Sequence, residues 1–215
     1  NFVANRSMAS YFNELGVPLT VSDSYNIAPT ESVPVIFEVD GQRECHLARW
    51  WLTPSWSNGP DTKYSMFNAR AESLESSRAY KASFHHKRCI FPASSFIEWK
   101  TEDDAKQPYE ILRQDNKPMA FAGLWDCWNE ELISCSMVTT RAAPSVAFIH
   151  NRMPVMLDLE GVGQWLNLST GLDTLNRLMG QQLAYPLTAR PVDKVINSGK
   201  VKTAAKAIGA DIALN

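Results

Sequence analysis

Apolar and polar positions alternate in several short stretches of this chain, and the period of the alternation separates helix from strand. Met8, Tyr11, Phe12 and Leu15 recur at helical spacing within residues 7–15, with Gly16 placed to stop the helix. The runs VPVIFEV at 33–39 and HLARWWL at 46–52 read as strands, and Asp40-Gly41 between them is a hairpin signal. Residues 53–68 collect turn formers and predict a long loop. A short helix is expected across 71–82, with Glu72 and Glu75 in its first part. Further strands are expected near 87–91, 96–99, 107–113, 118–125, 132–139 and 153–157. Helices are expected over 160–167 and from an Asp173 cap through Leu175, Leu178, Met179 and Leu183. The Ala/Lys-rich stretch at 201–208 adds a short helical candidate.

Strands outnumber helices in this reading, and no repeat, low-complexity segment or linker stands out. The expectation is a single domain over 1–215 of α+β class, built on a curled, partly closed, mostly antiparallel sheet with flanking helices. A chain of 215 residues is long enough to bury a substantial core.

Composition changes the picture little. Hydrophobic residues make up 45% and charged residues 20% of the chain, ordinary for a globular protein. A formal net charge of -2 argues against a wholly basic coat for nucleic acid and leaves room for a local basic groove. Seven Trp, nine Phe and six Tyr either fill a core or supply stacking surfaces for bases. No apolar run reaches the roughly 18 residues of a membrane span, and no signal segment opens the chain, so a cytoplasmic protein with no membrane partner is expected. Cys45, Cys89, Cys127 and Cys135 lack the paired spacing of a zinc site, and the reading is four buried, reduced thiols with no metal and no cofactor.

Three places carry candidate chemistry. His150, in AFIHNRMPVML, either packs at the start of a strand or moves protons, since an imidazole's ordinary pKa is about 6.5. Its neighbour Asn151 can orient groups, and Arg152 suits a phosphate or a carboxylate. Glu98, between Ile97 and Trp99, is either a surface residue on an alternating strand or a carboxyl raised by aromatic surroundings into a proton-transfer role. Asn68 and Arg70 share a face if the backbone there is extended, and Arg78 follows eight positions on. The arginines serve surface ion pairs or a phosphate clamp, and Trp56 covers a core edge or stacks on a base. Serine-elbow, Walker, dinucleotide and HExxH motifs are all lacking.

Taken together, YNIAPT at 25–30, WWLTPSW at 50–56, FNAR at 67–70, FPASSFIEWK at 91–100, VTT at 138–140 and IHNRMPV at 149–155 resemble the SRAP family of abasic-site processing proteins. The ordered matches extend from Phe2 to about Asn197. The resemblance implies a compact domain with a pseudo-barrel and a basic channel for single-stranded DNA. It also implies recognition of an abasic site, especially near a single-strand/double-strand junction. The family's nucleophile is a cysteine that becomes the first residue once the initiator methionine is removed. Its amine forms a Schiff base with the ring-opened sugar, and its thiol closes a stable thiazolidine that shields the lesion. On this chain the resemblance implies catalytic roles for Glu98 and His150 in proton transfer, and for Asn68 in holding the terminal amine. It implies phosphate contacts from Arg70 and Arg78, an aromatic contact from Trp56, a pocket threonine at Thr139, and a pocket-lining loop containing Asn26 and Pro29. Arg152 joins this DNA-binding set.

The chain departs from the family at its start, where Asn1-Phe2 stands and a Cys-Gly pair belongs immediately before the matching positions. The expectation is that the cysteine precedes Asn1 in the complete protein. The alternative is a variant that binds DNA without crosslinking it. A DNA-damage response protein acting as a monomer on single-stranded DNA, nucleoid-associated when bound, is the leading reading. A peptidase or autopeptidase and a noncovalent single-strand binder are the competing ones.

Overall fold

The computed structural model describes residues 1–4, 8–17, 23–103 and 105–214, so Ser7, the first residue of the expected N-terminal helix, lies outside the described residues. That helix forms as α1 (Ala9–Glu14), burying Tyr11 and Phe12, and Gly16 follows it at φ +80, a left-handed position that favours glycine.

The strands divide between two sheets. The first comprises β1 (Phe2–Ala4), β2 (Ser24–Ile27), β7 (Ser95–Glu102), β8 (Ala105–Arg113), β13 (Leu187–Pro191) and β14 (Ile212–Leu214), in the order β14-β13-β8-β7-β1-β2. The second is built on β3 (Ser32–Val39), β4 (Gln42–Trp50), β6 (Arg88–Ala93), β9 (Met119–Trp128), β10 (Leu132–Arg141), β11 (Arg152–Pro154) and β12 (Met156–Leu157). Its order is β11-β10-β4-β3-β6-β9-β12, with β5 (Asn68–Arg70) added beside β10. This corrects the expected pseudo-barrel: in place of one curled, partly closed, mostly antiparallel sheet there are two sheets, the larger of them mixed. The physical reason lies in β10, whose one edge pairs antiparallel with β9 and then β11, while its other edge runs parallel to β4 and then β5. The α+β class stands.

The hairpin between β3 and β4 turns on two residues, Asp40 and Gly41, both at positive φ (49 and 78), the geometry that matches the twist of its flanking strands. Three helical expectations need correction. Residues 71–82 do not form one helix: a 3-10 turn covers Ala71–Ser73, and α2 (Lys81–His86) begins after Arg78. Ser73 and Ser76 donate their hydroxyls to Arg70 O and Ser73 O, local bonds that compete with a continuous helix. Asp173 lies in the first turn of α4 (Leu172–Leu178) rather than at its cap, which is Gly171. Asp158 caps α3 (Leu159–Leu166), accepting from Gly161 N at 2.7 Å.

The stretch 201–208 is not helical either. It is drawn along the first sheet by Asp193 N to Lys206 O and Ile208 N to Pro191 O, tertiary bonds that override the propensity of Ala and Lys. β1, β2, β5, β13 and β14 were not expected from the sequence pattern; each is five residues or fewer.

The main core joins the two sheets. Phe2 of β1 is fully buried and meets Trp50 of β4 and Phe91 of β6 edge-on, at ring-centroid distances of 5.2 and 6.2 Å. Cys89 and Cys135 are buried, while Cys45 and Cys127 are only half-buried, a partial correction to the expectation of four buried thiols; all four are free. No helix among the described residues is long and apolar enough to cross a membrane.

Candidate active site

A cavity of about 300 Å³ opens beside the first residue of the chain and is walled by both sheets. From the first sheet come Asn1, Phe2, Phe96 and Glu98; from the second and its loops come Asn68, Arg70, Thr139, His150 and Arg152. Local strand geometry explains why these side chains converge. In β5, Ala69 is buried while Asn68 and Arg70 on either side are exposed, so the two-residue spacing does place both on one face. Parallel pairing then sets Asn68 opposite Met137 and Arg70 opposite Thr139, and Thr139 is itself paired with Pro154 of β11. His150 lies near the end of the loop that leads into β11.

The cavity is electrostatically unusual. Burial pushes the Glu98 carboxyl above the ordinary carboxylate range, against the opposing pull of the chain-start amine and His150. Burial also pushes the Asn1 amine below its ordinary value, with Glu98 partly offsetting the shift. The amine itself reaches Ile97 O at 3.3 Å.

His150 also lines the cavity. Its Nδ1 lies 3.1 Å from Arg152 N and 3.2 Å from Arg152 O, so the ring accepts from the backbone N–H when Nδ1 is bare and donates to the carbonyl when it is protonated. Either state is satisfied, and Nε2 makes no hydrogen bond among the described residues.

A family model described as "SOS response associated peptidase (SRAP)" matches residues 2–199. The chain belongs to the SRAP family. Among its relatives, the abasic site processing protein YoqW of Bacillus subtilis (strain 168) is 36% identical over 183 residues, covering 82% of each chain. The abasic site processing protein HMCES of Xenopus tropicalis is 32% identical over 218 residues, covering 84% of this chain and 64% of that one. A crystal structure of a protein from Bordetella bronchiseptica shares the fold, with a TM-score of 0.73 at 24% identity over 89% of this chain and 98% of that one.

Six of the ten SRAP site residues expected from the sequence line this one cavity: Asn68, Arg70, Glu98, Thr139, His150 and Arg152. The others lie elsewhere. Asn26, fully buried in β2, lines no part of the cavity. Its Nδ2 donates to Ile196 O, Ser198 O and Val201 O, and its Oδ1 accepts from the Asn1 side chain, so it braces the chain start rather than facing a ligand. Pro29 sits half-buried in the turn after β2. Trp56 and Arg78 form a pair, the guanidinium 4.4 Å over the indole, at a separate cavity.

Arg152 is already engaged: its fork takes both oxygens of Glu72, at 2.7 and 3.0 Å, and also reaches Thr139 O at 2.6 Å. That hydrogen bond holds the Glu72 carboxyl below its usual range. Sequence reasoning missed Arg141, which is paired with Arg152 in register. With Arg70 and Arg152 it lines an adjoining cavity of about 440 Å³. Arg70 and Arg141 end β5 and β10 while Arg152 begins β11, so only strand pairing reveals the cluster.

Proposed function

We propose that this protein binds single-stranded DNA at an abasic site and forms a protective covalent link to the opened sugar through the amine and thiol of a cysteine that precedes Asn1 by two residues. The observation that carries the reading is the convergence of Asn1, Asn68, Glu98 and His150 on one cavity, where burial raises the Glu98 carboxyl toward its neutral form. The names of its SRAP relatives, abasic site processing proteins, support the same reading.

The chemistry follows from these groups. A neutral amine adds to the sugar aldehyde, forming a carbon–nitrogen bond. A proton from Glu98 or His150 then lets the hydroxyl depart as water, leaving an imine. A thiol adjacent to the amine adds its sulfur to the imine carbon and passes its proton to nitrogen, closing a five-membered ring. Asn1 carries no thiol, so in this proposal the sulfur belongs to a Cys-Gly pair joined to the Asn1 nitrogen. Two residues keep that amine within about 7 Å of Asn1. Asn68 holds the amine, and Arg70, Arg141 and Arg152 take the flanking phosphates.

The test compares two chains, one beginning Cys-Gly ahead of Asn1 and one beginning at Asn1, each incubated with single-stranded DNA bearing one abasic site. The cysteine-bearing chain is expected to give a band that survives denaturing electrophoresis, with the mass of protein plus DNA less one water. Its failure to do so, with the chain folded, sinks the proposal.

A further inference from the structure

Phe148 stands two residues before His150, in the turn over residues 144–149. Its neighbours anchor that turn in the core, Val146 being fully buried and Ile149 only 4% exposed. Phe148 keeps 41% of its surface exposed, yet its ring is engaged. It meets the Tyr109 ring of β8 edge-on at 6.3 Å, and the Lys100 ammonium of β7 lies 5.7 Å from its centroid. An ion pair with Glu102, at 2.7 Å, steadies that ammonium.

Both contacts are made with residues that flank Glu98. Lys100 follows Glu98 by two positions in β7, so the two side chains share a face of the strand. Tyr109 is the cross-strand partner of Glu98, which sets the two Cβ atoms about 5 Å apart on that same face. The hydrogen bonds that hold His150 run elsewhere. Its ring is bonded to the backbone of Arg152, and its own N–H reaches Val146 O only at 3.5 Å. Ala142 N to Asn151 O, at 3.0 Å, closes the loop. These bonds tie the turn to itself and to the second sheet; none of them reaches the first sheet, which carries Glu98.

We infer that Phe148 is a positioning residue for the proposed reaction: its ring docks the His150 turn on the face of the first sheet that bears Glu98, and so sets the separation of the two side chains. The inference rests on the proposed covalent capture of an abasic site. Phe148 does not line the cavity, so it acts through His150 and not on the sugar. Two residues span at most about 7 Å, so a turn that tips at Phe148 carries His150 with it. The separation matters because Glu98 and His150 serve one departing hydroxyl from opposite sheets. A misplacement of about 1 Å costs up to about 10²-fold in rate.

The test is single-turnover crosslinking of the full chain, with Cys-Gly ahead of Asn1, to single-stranded DNA bearing one abasic site, over a range of DNA concentrations. Phe148→Ala is expected to lower the rate at saturating DNA about tenfold and to leave the half-saturating concentration within about twofold of the parent. Phe148→Tyr keeps the ring and is expected to restore the rate to within about twofold. Tyr109→Leu removes the same contact from the β8 side and is expected to slow the reaction by a similar factor. In the double variant, the second change is expected to cost less than about a further twofold, because one contact is lost twice. Should Phe148→Ala not fold, Tyr109→Leu at the parent rate still overturns the inference. So does Phe148→Ala reacting within about twofold of the parent, a tyrosine that fails to restore the rate, or losses that multiply in the double variant. A change confined to the half-saturating concentration also overturns it, since it makes Phe148 a DNA contact. A parent chain that gives no covalent product sinks the proposed function, and this inference with it. A parent that reacts beside an equally fast Phe148→Ala chain sinks the inference alone.

Discussion

Replacing Glu98 by Gln removes a charge and a proton from the cavity while leaving the side chain's shape. General acid–base groups contribute about 10²–10⁴-fold to a rate. His150 shares the cavity and remains, which sets the expectation at the lower end, about 10²-fold slower crosslinking, or ~2.7 kcal/mol of barrier. The assay is single-turnover crosslinking of the cysteine-bearing chain to abasic single-stranded DNA, quenched over time and read on a denaturing gel. A rate within about threefold of the parent refutes the proton-transfer role.

Stability offers an independent check. Burial raises the Glu98 carboxyl above its unfolded value, so its contribution is fully present below about pH 4.3 and is lost as pH rises through the folded value. Gln does not titrate. Relative to the parent, the variant therefore gains stability between pH 4 and pH 8, as read by chemical denaturation at the two ends. A relative loss over that interval contradicts the burial argument.

Asn26→Ala leaves the carbonyls of Ile196, Ser198 and Val201 without their donor and puts Ala at φ 50; urea unfolding is expected to show a loss of about 2–4 kcal/mol, and a loss under about 0.5 kcal/mol counts against the brace. Gly123→Ala sets a Cβ 2.3 and 2.7 Å from two ring atoms of the fully buried Phe91, for an expected cost of about 1–3 kcal/mol and a melting point lower by about 2–4 °C per kcal/mol. A melting point at the parent value would show that the ring has room to move. Glu72→Gln frees the Arg152 fork; stability is expected to change by less than about 1 kcal/mol, while affinity for single-stranded DNA at low salt rises and its salt dependence steepens by about 0.7 in log–log slope. An unchanged slope means that Arg152 does not meet a phosphate.

Long strands were legible because their alternation outlasts local noise: β3, β8, β9 and β10 each run eight residues or more and sit close to where the pattern placed them, while β4 begins at Gln42, ahead of the expected start at His46. β1 and β5, three residues each, carry too few positions for a period, yet they bring Asn1, Asn68 and Arg70 to the cavity. The split into two sheets was hidden for a different reason. Sequence shows that a strand such as β10 is apolar, but not that its two edges pair with four other strands. The site was legible mainly through motif resemblance, which supplied residue types in order and nothing about their neighbours. It therefore gave no sign that Arg152 is held by Glu72, or that Asn26 faces inward. Arg141 carried no motif at all.

The division between sheets has a consequence for the chemistry. Glu98 and Asn1 lie on the side of the first sheet, whereas Asn68, the arginines and His150 belong to the second and the loop that enters it. The geometry of the proposed reaction therefore depends on how firmly the sheets are joined near Asn1. Phe2 supplies that joint, one residue from the Asn1 nitrogen, through its edge contacts with Trp50 and Phe91 across the interface. The Asn26 brace works on the same segment from the opposite direction, tying Asn1 to the carbonyls of residues 196–201. Residues near a chain end are ordinarily poorly ordered. Here a buried ring on one side and a four-bonded amide on the other hold Asn1 in place, so the proposed Cys-Gly pair would extend from a fixed anchor and lose less freedom when DNA binds.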